Sequence, residues 1–369
     1  AVAEQLTFGN IFGEKTLFQG IRRLEPGAGL CHTGTHTQSI RTEWKNEPLP
    51  DSPSAQIDKI DEALHRAVAT AWDGAKSPAL CLSAGLDSRT LMAIAHRQGI
   101  PLTCVTNGIE GSVELRLAER MCTAIGAEHL RCLLEKDVVD QVLEDAADVV
   151  EYTDGEGTIQ STNMLHITRQ YQENLGLDRV IRGIGGELLK LSSAYSYAIP
   201  RELAQQADEA EIQRHLLSQL TLPQSPAQRQ CLRGELKEIL ETGAEDGFIE
   251  SWNSLQPHEA TPAQKASLLF LRAYIGRATV DSMRILRQSV DLSQPFLNED
   301  FLETLMASSI ELRMDSSLQI ELIRRNAPEL LKIPNSDIRA PLDAGPLRRK
   351  LATLNRRLAR RLGFGEIDV

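Results

Sequence analysis

The sequence predicts an α/β protein: a parallel sheet flanked by helices, followed by a mostly helical C-terminal part. Three observations carry this. Between residues 79 and 182, short apolar segments of strand length alternate with amphipathic segments of helix length, the pattern of right-handed βαβ crossovers. The first apolar segment runs straight into a turn of small residues, Ser83-Ala84-Gly85-Leu86-Asp87-Ser88. From residue 201 to about 330 the periodicity is almost wholly helical.

Residues 1–50 read as a linker segment of short elements and turns, because Leu6-Thr7-Phe8-Gly9 and Leu17-Phe18-Gln19-Gly20-Ile21 mix glycine with β-formers. Cys31, His32 and His36 lie close together, but no second ligand pair follows at zinc-site spacing, so a solvated turn is expected there. Asp51-Ser52-Pro53-Ser54 supplies turn and cap residues, and Ile57, Ile60, Leu64, Val68 and Ala71 follow at helical spacing. Strands are expected at 79–82, 102–106, 129–134 and 180–182, and helices at 87–97, 113–125, 137–149 and 161–174. Together residues 51–200 form the expected α/β core. Ligands of such sheets bind at the carboxyl ends of the strands, which puts the loops 83–88, 106–112 and 183–188 on one rim. Residues 201–342 are the helical part, broken by the extended Gln294-Pro295-Phe296-Leu297. Residues 343–369 read as a basic amphipathic helix. It carries Arg348, Arg349, Lys350, Arg356, Arg357, Arg360 and Arg361 opposite Leu347, Leu351, Leu354, Leu358 and Leu362. Docking of those leucines on an acidic body is the expected role.

At 369 residues the chain exceeds what one compact core usually absorbs, so one large or two unequal domains are expected. Hydrophobic residues at 41% and charged residues at 25% are ordinary globular values, which argues against disorder. A net charge of −11 argues against a general affinity for nucleic acid. No apolar run approaches the roughly 18 residues of a membrane span, and no opening segment resembles a signal peptide, so a cytoplasmic location is expected. Six cysteines without a CxxC pair read as reduced thiols.

The turn at 83–88 carries the chemistry. Small residues let the main chain approach a ligand, consecutive N–H groups form an anion nest, and the following helix adds its unpaired amides and positive dipole end. Ser83 and Ser88 offer hydroxyl donors to phosphate. Asp87 would repel phosphate, so its expected role runs through a divalent cation. The Gly-Lys-Ser/Thr of a Walker loop is absent; the alternative is a tight strand-to-helix turn capped by Asp87.

The loop resembles the SGGxDS signature of the pyrophosphatase-loop (PP-loop) ATP enzymes, a fold also called adenine nucleotide alpha-hydrolase. The surrounding sequence is similar to the synthetase part of the asparagine synthetase family. Residues 6–9 and 17–27 resemble the segment where those enzymes leave their glutaminase half. Residues 114–118 and 126–129 resemble the helix and "LGxxH" turn after the second strand. Arg182-Gly183-Ile184-Gly185-Gly186-Glu187 resembles the "SGxGGDE" loop, and residues 289–298 resemble the "GVExRxPFLD" element.

The resemblance implies a two-step reaction with ATP and Mg2+. A carboxylate substrate attacks the α-phosphorus to give acyl-AMP and pyrophosphate, and ammonia or an amine then displaces AMP to form an amide. By position, Leu82, Ser83, Ala84, Gly85, Leu86, Asp87 and Ser88, with Gly183, Gly185 and Gly186, would hold the nucleotide, with adenine near Leu82 and Thr106. Asp87 and Glu187 would share the metal. An active-site carboxylate falls within 151–156; counting back from Arg169 favours Glu151, with Asp154 and Glu156 open. The family's late lysine should lie between Pro334 and Pro341, where Arg339 is the only cation and Lys332 stands just upstream. The second loop has Leu188 in place of its second acid, and Ala84 replaces the second glycine of the first loop. These departures point away from asparagine itself and towards another amide, such as a β-lactam ring or a lasso-peptide isopeptide. A catalytically impaired member acting as a binding or assembly partner is the other reading. The glutaminase nucleophile, an N-terminal cysteine, is not in this sequence. A separate glutaminase or amine-supplying protein is therefore an expected partner, unless the chain is part of a longer one.

Overall fold

The structure is a computed structural model that describes residues 1–41, 49–134, 137–158, 161–222, 234, 244–255, 261–335 and 340–345. In chain order the helices and strands begin α1 (Val2–Phe8), β1 (Ala28–Thr33), β2 (His36–Arg41), α2 (Pro53–Trp72) and β3 (Pro78–Cys81). Next come α3 (Leu86–Arg97), β4 (Thr103–Gly108), α4 (Val113–Ile125), β5 (Glu128–Leu133), α5 (Asp137–Thr153), α6 (Thr162–Glu173) and β6 (Arg179–Ile181). The helical stretch holds α7 (Arg201–Gln206), α8 (Glu209–Leu220), α9 (Ala244–Ser254), α10 (Pro262–Leu269), a π-helix (Phe270–Ala278) and α11 (Val280–Leu286). The last elements are β7 (Asp291–Ser293), α12 (Glu299–Ala307) and α13 (Ser317–Asn326). They group into two compact units, each assembled from separate stretches of chain.

The first unit comprises Ala1–Glu47, Val150–Thr158 and Leu191–Arg284. Its opening residues form a short helix: α1 buries Ala3, Glu4 and Phe8 and ends at Gly9, whose φ of 66° closes the helix. Phe8, Phe12, Phe248 and Trp252 pack in series, the first two pairs edge to face and the last stacked, with ring centroids 5.4, 5.9 and 6.1 Å apart. The strands β1 and β2 pair as an antiparallel ribbon, and Cys31, His32 and His36 lie exposed on it.

The second unit comprises Pro48–Val149, Ile159–Lys190 and Ile285–Val369. It contains the expected parallel sheet, with strand order β5-β4-β3-β6-β7. The four expected strands are present, and β7 adds a fifth at the edge, paired with β6 through residues 291–293. On one face Ala79, Val105, Cys132 and Val180 pack against Ile167, Tyr171, Leu177, Leu286 and Val290. Between β3 and β6 the chain order reverses direction, since β4 and β5 build outward on one side and β6 and β7 on the other. Ligands of open α/β sheets bind at the carboxyl end of such a switch point. No described helix is long and apolar enough to cross a membrane, and the five described cysteines are free thiols. The C-terminal segment expected as a basic helix lies outside the described residues beyond residue 345.

Candidate functional site

At the end of β3, Leu82 donates its N–H to the Val105 carbonyl (2.9 Å) and accepts the Thr106 hydroxyl proton on its own carbonyl (2.8 Å). Thr106 Oγ1, its proton spent, accepts from His129 Nε2 at 3.0 Å; burial pushes that imidazole below its usual range, so it is neutral at neutral pH. Of the two residues expected near adenine, Leu82 thus commits its N–H, and Thr106 its hydroxyl, within the sheet.

The turn that follows is closed by its own serines. Ser88 Oγ donates to the Ser83 carbonyl (3.1 Å), accepts from the Ser83 N–H (3.0 Å) and lies 3.0 Å from Ser83 Oγ. Gly85 precedes α3, and no side chain caps that helix, so its first amides keep their donor capacity for a ligand. The Ala84 N–H donates to a carboxylate oxygen of Glu114 at 2.5 Å. A carboxylate therefore sits where the loop would present that amide to an oxyanion. Arg89, fully buried in α3, donates to the carbonyls of Ala84, Leu330, Ile333 and Pro334 at 3.0, 3.1, 2.7 and 2.8 Å.

The loop after β6 meets this turn directly. A Cβ on Gly183 would stand 3.0 Å from Asp87 Cβ, and one on Gly186 would overlap Asp87 Oδ1 and stand 2.7 Å from its Cβ. Only glycine at both positions lets the two loops touch. Gly185 holds φ at +96°, a conformation side chains resist, and its Cα faces Leu297 and Phe296. The extended Pro295-Phe296-Leu297 element therefore seats the second loop, and three sequence motifs converge on Asp87. Glu187, with Gly183, Gly185 and Gly186, belongs to this seat: its Oε2 accepts from the Gly185 N–H at 3.2 Å.

Both oxygens of Asp87 accept from the ammonium of Lys190 at 2.9 Å, and Oδ1 also accepts from Gln319 Nε2 at 2.6 Å. Lys190 and Gln319 lie 103 and 232 residues away in sequence and were not anticipated. The one local signal was charge: the second loop loses an acid at Leu188, which is buried, and gains a cation two residues on. This donor set does not fit a protein-held Mg2+, which needs carboxylate oxygens turned to the ion. Asp87 is already neutralised by an ammonium, Glu187 is folded back on its own loop, and no cluster of three metal-binding side chains occurs among the described residues. A nucleotide fits better. Arg182 Nη1, Gln294 Nε2 and Gln319 Oε1 are buried at or beside the second loop with no partner, and buried polar atoms are normally satisfied.

The acid-rich stretch lies in the first unit. Helix α5 runs on to Thr153, so Glu151 stands exposed on its last turn. Asp154 adopts φ 55° and accepts from Arg284 at 2.7 Å. That bond, with Arg23 nearby, holds its carboxyl below the usual range despite partial desolvation, which makes it a poor proton acceptor at neutral pH. Glu156 is the buried acid: Arg23 and Arg277 approach it at 3.3 and 3.4 Å. Beside it, burial and then the Glu156 charge push Asp281 up to about 6. Arg339 lies outside the described residues; Lys332 is exposed.

Curated proteins of Mycobacterium bovis and Mycobacterium tuberculosis, each described as "Putative asparagine synthetase (glutamine-hydrolyzing)", are 29% identical over 131 residues. That match covers 33% of this chain and 20% of each relative, so the chain aligns with only about a fifth of their length. Among solved structures, the NMN synthetase of Francisella tularensis matches 57% of this chain and all of its own, at 14% identity. The TM-score of that match is 0.27. The family model described as asparagine synthase matches residues 59–351, most of the chain, from α2 through the sheet to the late segment, and the chain belongs to that family.

Proposed function

We propose that the chain is an ATP-dependent carbon–nitrogen ligase that adenylates a carboxylate, releases pyrophosphate and passes the acyl group to ammonia or an amine. The observation that carries this is the meeting of the 83–88 turn with the 183–187 loop, on Asp87, at the switch point of the sheet. The uncapped amides of α3 would face developing negative charge on the leaving pyrophosphate, where fixed dipoles are most effective. Arg182, Gln294 and Gln319 supply the unsatisfied polar atoms that a bound nucleotide would complete. Magnesium, when present, would screen the triphosphate as its complex. A cytoplasmic location, where ATP is available, belongs to the same reading. So does a separate protein supplying ammonia or the amine.

The test is exchange of labelled pyrophosphate into ATP with a panel of carboxylates. The reading expects exchange with at least one acid and its loss in Asp87→Asn, which leaves Lys190 unpaired beside the turn. Release of ADP and orthophosphate would refute it. A second reading, a member that binds nucleotide without turnover, is favoured by the Glu114 carboxylate held on the Ala84 N–H. Nucleotide binding without exchange for any acid would select it.

A further inference from the structure

We propose that Lys190 takes the place of a metal ion at Asp87, and that its ammonium is the cation through which this loop holds the phosphates of its nucleotide. The inference rests on the nucleotide-binding reading above. Among the described residues, two cations bond to the turn. Arg89 is fully buried, and its fork is spent on four carbonyls. Lys190 and Asp87, by contrast, keep 14% and 23% of their side-chain surface open to solvent. An ammonium has three protons; two go to the Asp87 oxygens, and the third has no partner among the described residues.

The pairing is also built. Gly186 leaves room for the Asp87 carboxylate, Gln319 fixes it from the other side while donating to the Gly186 carbonyl (3.4 Å), and Lys190 closes the second loop. A divalent ion at Asp87 would face the Lys190 charge within hydrogen-bond distance of the same oxygens. A phosphate there meets a positive group already aimed at the turn, while Asp87, held by Gln319, keeps that group in place. Lys190 thus makes a carboxylate, which alone would repel phosphate, compatible with an anionic ligand.

Two measurements on the purified chain test this. The first is calorimetric titration with α,β-methylene-ATP in excess EDTA and in millimolar Mg2+. Wild-type affinity should change by less than about threefold between the two, whereas Lys190→Met should lose about 10- to 100-fold in EDTA, as expected for a charge-assisted contact, and regain most of it with Mg2+. Lys190→Arg should stay near wild type, and matching thermal melts exclude misfolding. The second is Mn2+ titration by electron paramagnetic resonance without nucleotide. Wild type should bind weakly, and Lys190→Met more tightly through the freed Asp87. Tight Mn2+ binding by wild type, or nucleotide affinity that collapses in EDTA and ignores Lys190→Met, overturns the Lys190 assignment alone. Failure of wild type to bind the analogue under either condition overturns the nucleotide reading, and this inference with it.

Discussion

Replacing Arg89 with methionine should destabilise the second unit by about 3 kcal/mol. The guanidinium donates four hydrogen bonds to carbonyls of Ala84, Leu330, Ile333 and Pro334. Bonds from a charged donor are worth roughly 1.5–3 kcal/mol each, so about 6 kcal/mol at the low end is gained. Against this stands the burial of the charge, which lowers its pKa from 12.5 to about 10, with Glu114 opposing the shift. That difference corresponds to a penalty of about 3 kcal/mol. Methionine fills similar volume and removes the buried charge, but it leaves four carbonyls without their donor. The balance of about 3 kcal/mol is a hundredfold or more in the folded ratio, and about 6–12 °C in melting temperature for a unit of this size. Urea unfolding reads it as a lower midpoint at unchanged slope. Arg89→Lys should recover only part, because one ammonium cannot reach four carbonyls of a planar fork. A methionine variant within about 1 kcal/mol of wild type would refute the reasoning, since the carbonyls would then be satisfied without Arg89.

Asp281→Asn should alter the pH dependence of stability. A carboxyl raised to about 6 when folded binds its proton more tightly than when unfolded, so wild-type stability falls as pH rises from about 4 to about 6. The asparagine variant should therefore match wild type near pH 4 and exceed it by about 2–3 kcal/mol at neutral pH; parallel curves would show that the burial cost is offset elsewhere. Gly186→Ala should displace the Asp87 carboxylate, because the added methyl overlaps its Oδ1. Nucleotide affinity should then drop about tenfold or more while the sheet's unfolding midpoint moves little, and unchanged affinity would remove Asp87 from the site.

Much of this was legible in the sequence, for physical reasons. A strand buried on both faces reads as a continuous apolar run, which is why residues 79–82 stood out; β5 lies at the sheet edge, is only partly buried and keeps His129 and Arg131. β7 did not stand out: it is three residues long, Asp-Leu-Ser, lies at the sheet edge, and is fixed by ladder bonds such as Arg182 N–H to Ser293 O. The helix at Val2–Phe8 escaped notice because Gly9, read as a turn, is in fact its C-cap. The π-helix at Phe270–Ala278 has no period that a window of sequence distinguishes from an α-helix. Glycine motifs at 83–88 and 183–186 announced the site because close backbone approach admits few residue types. Lys190 and Gln319 carried no such signal, since a single lysine or glutamine acquires its role only through tertiary contact.

The charges around the turn explain how one loop can be both folded and receptive. Without a ligand, its anion-seeking amide at Ala84 holds the Glu114 carboxylate, and its repelling acid Asp87 is covered by Lys190. At these two points the Ala84 amide and the Asp87 carboxylate each have a protein partner of opposite character, so neither stands as a large uncompensated charge. Under the proposed function, a phosphate would replace one anion with another at the amide and would find the ammonium already placed. At the Ala84 amide, binding would then exchange one contact for another, so that amide's share of the affinity would be set by the difference between the carboxylate and the phosphate as ligands. That difference grows as charge accumulates on a departing pyrophosphate, which is the state an adenylating enzyme must favour.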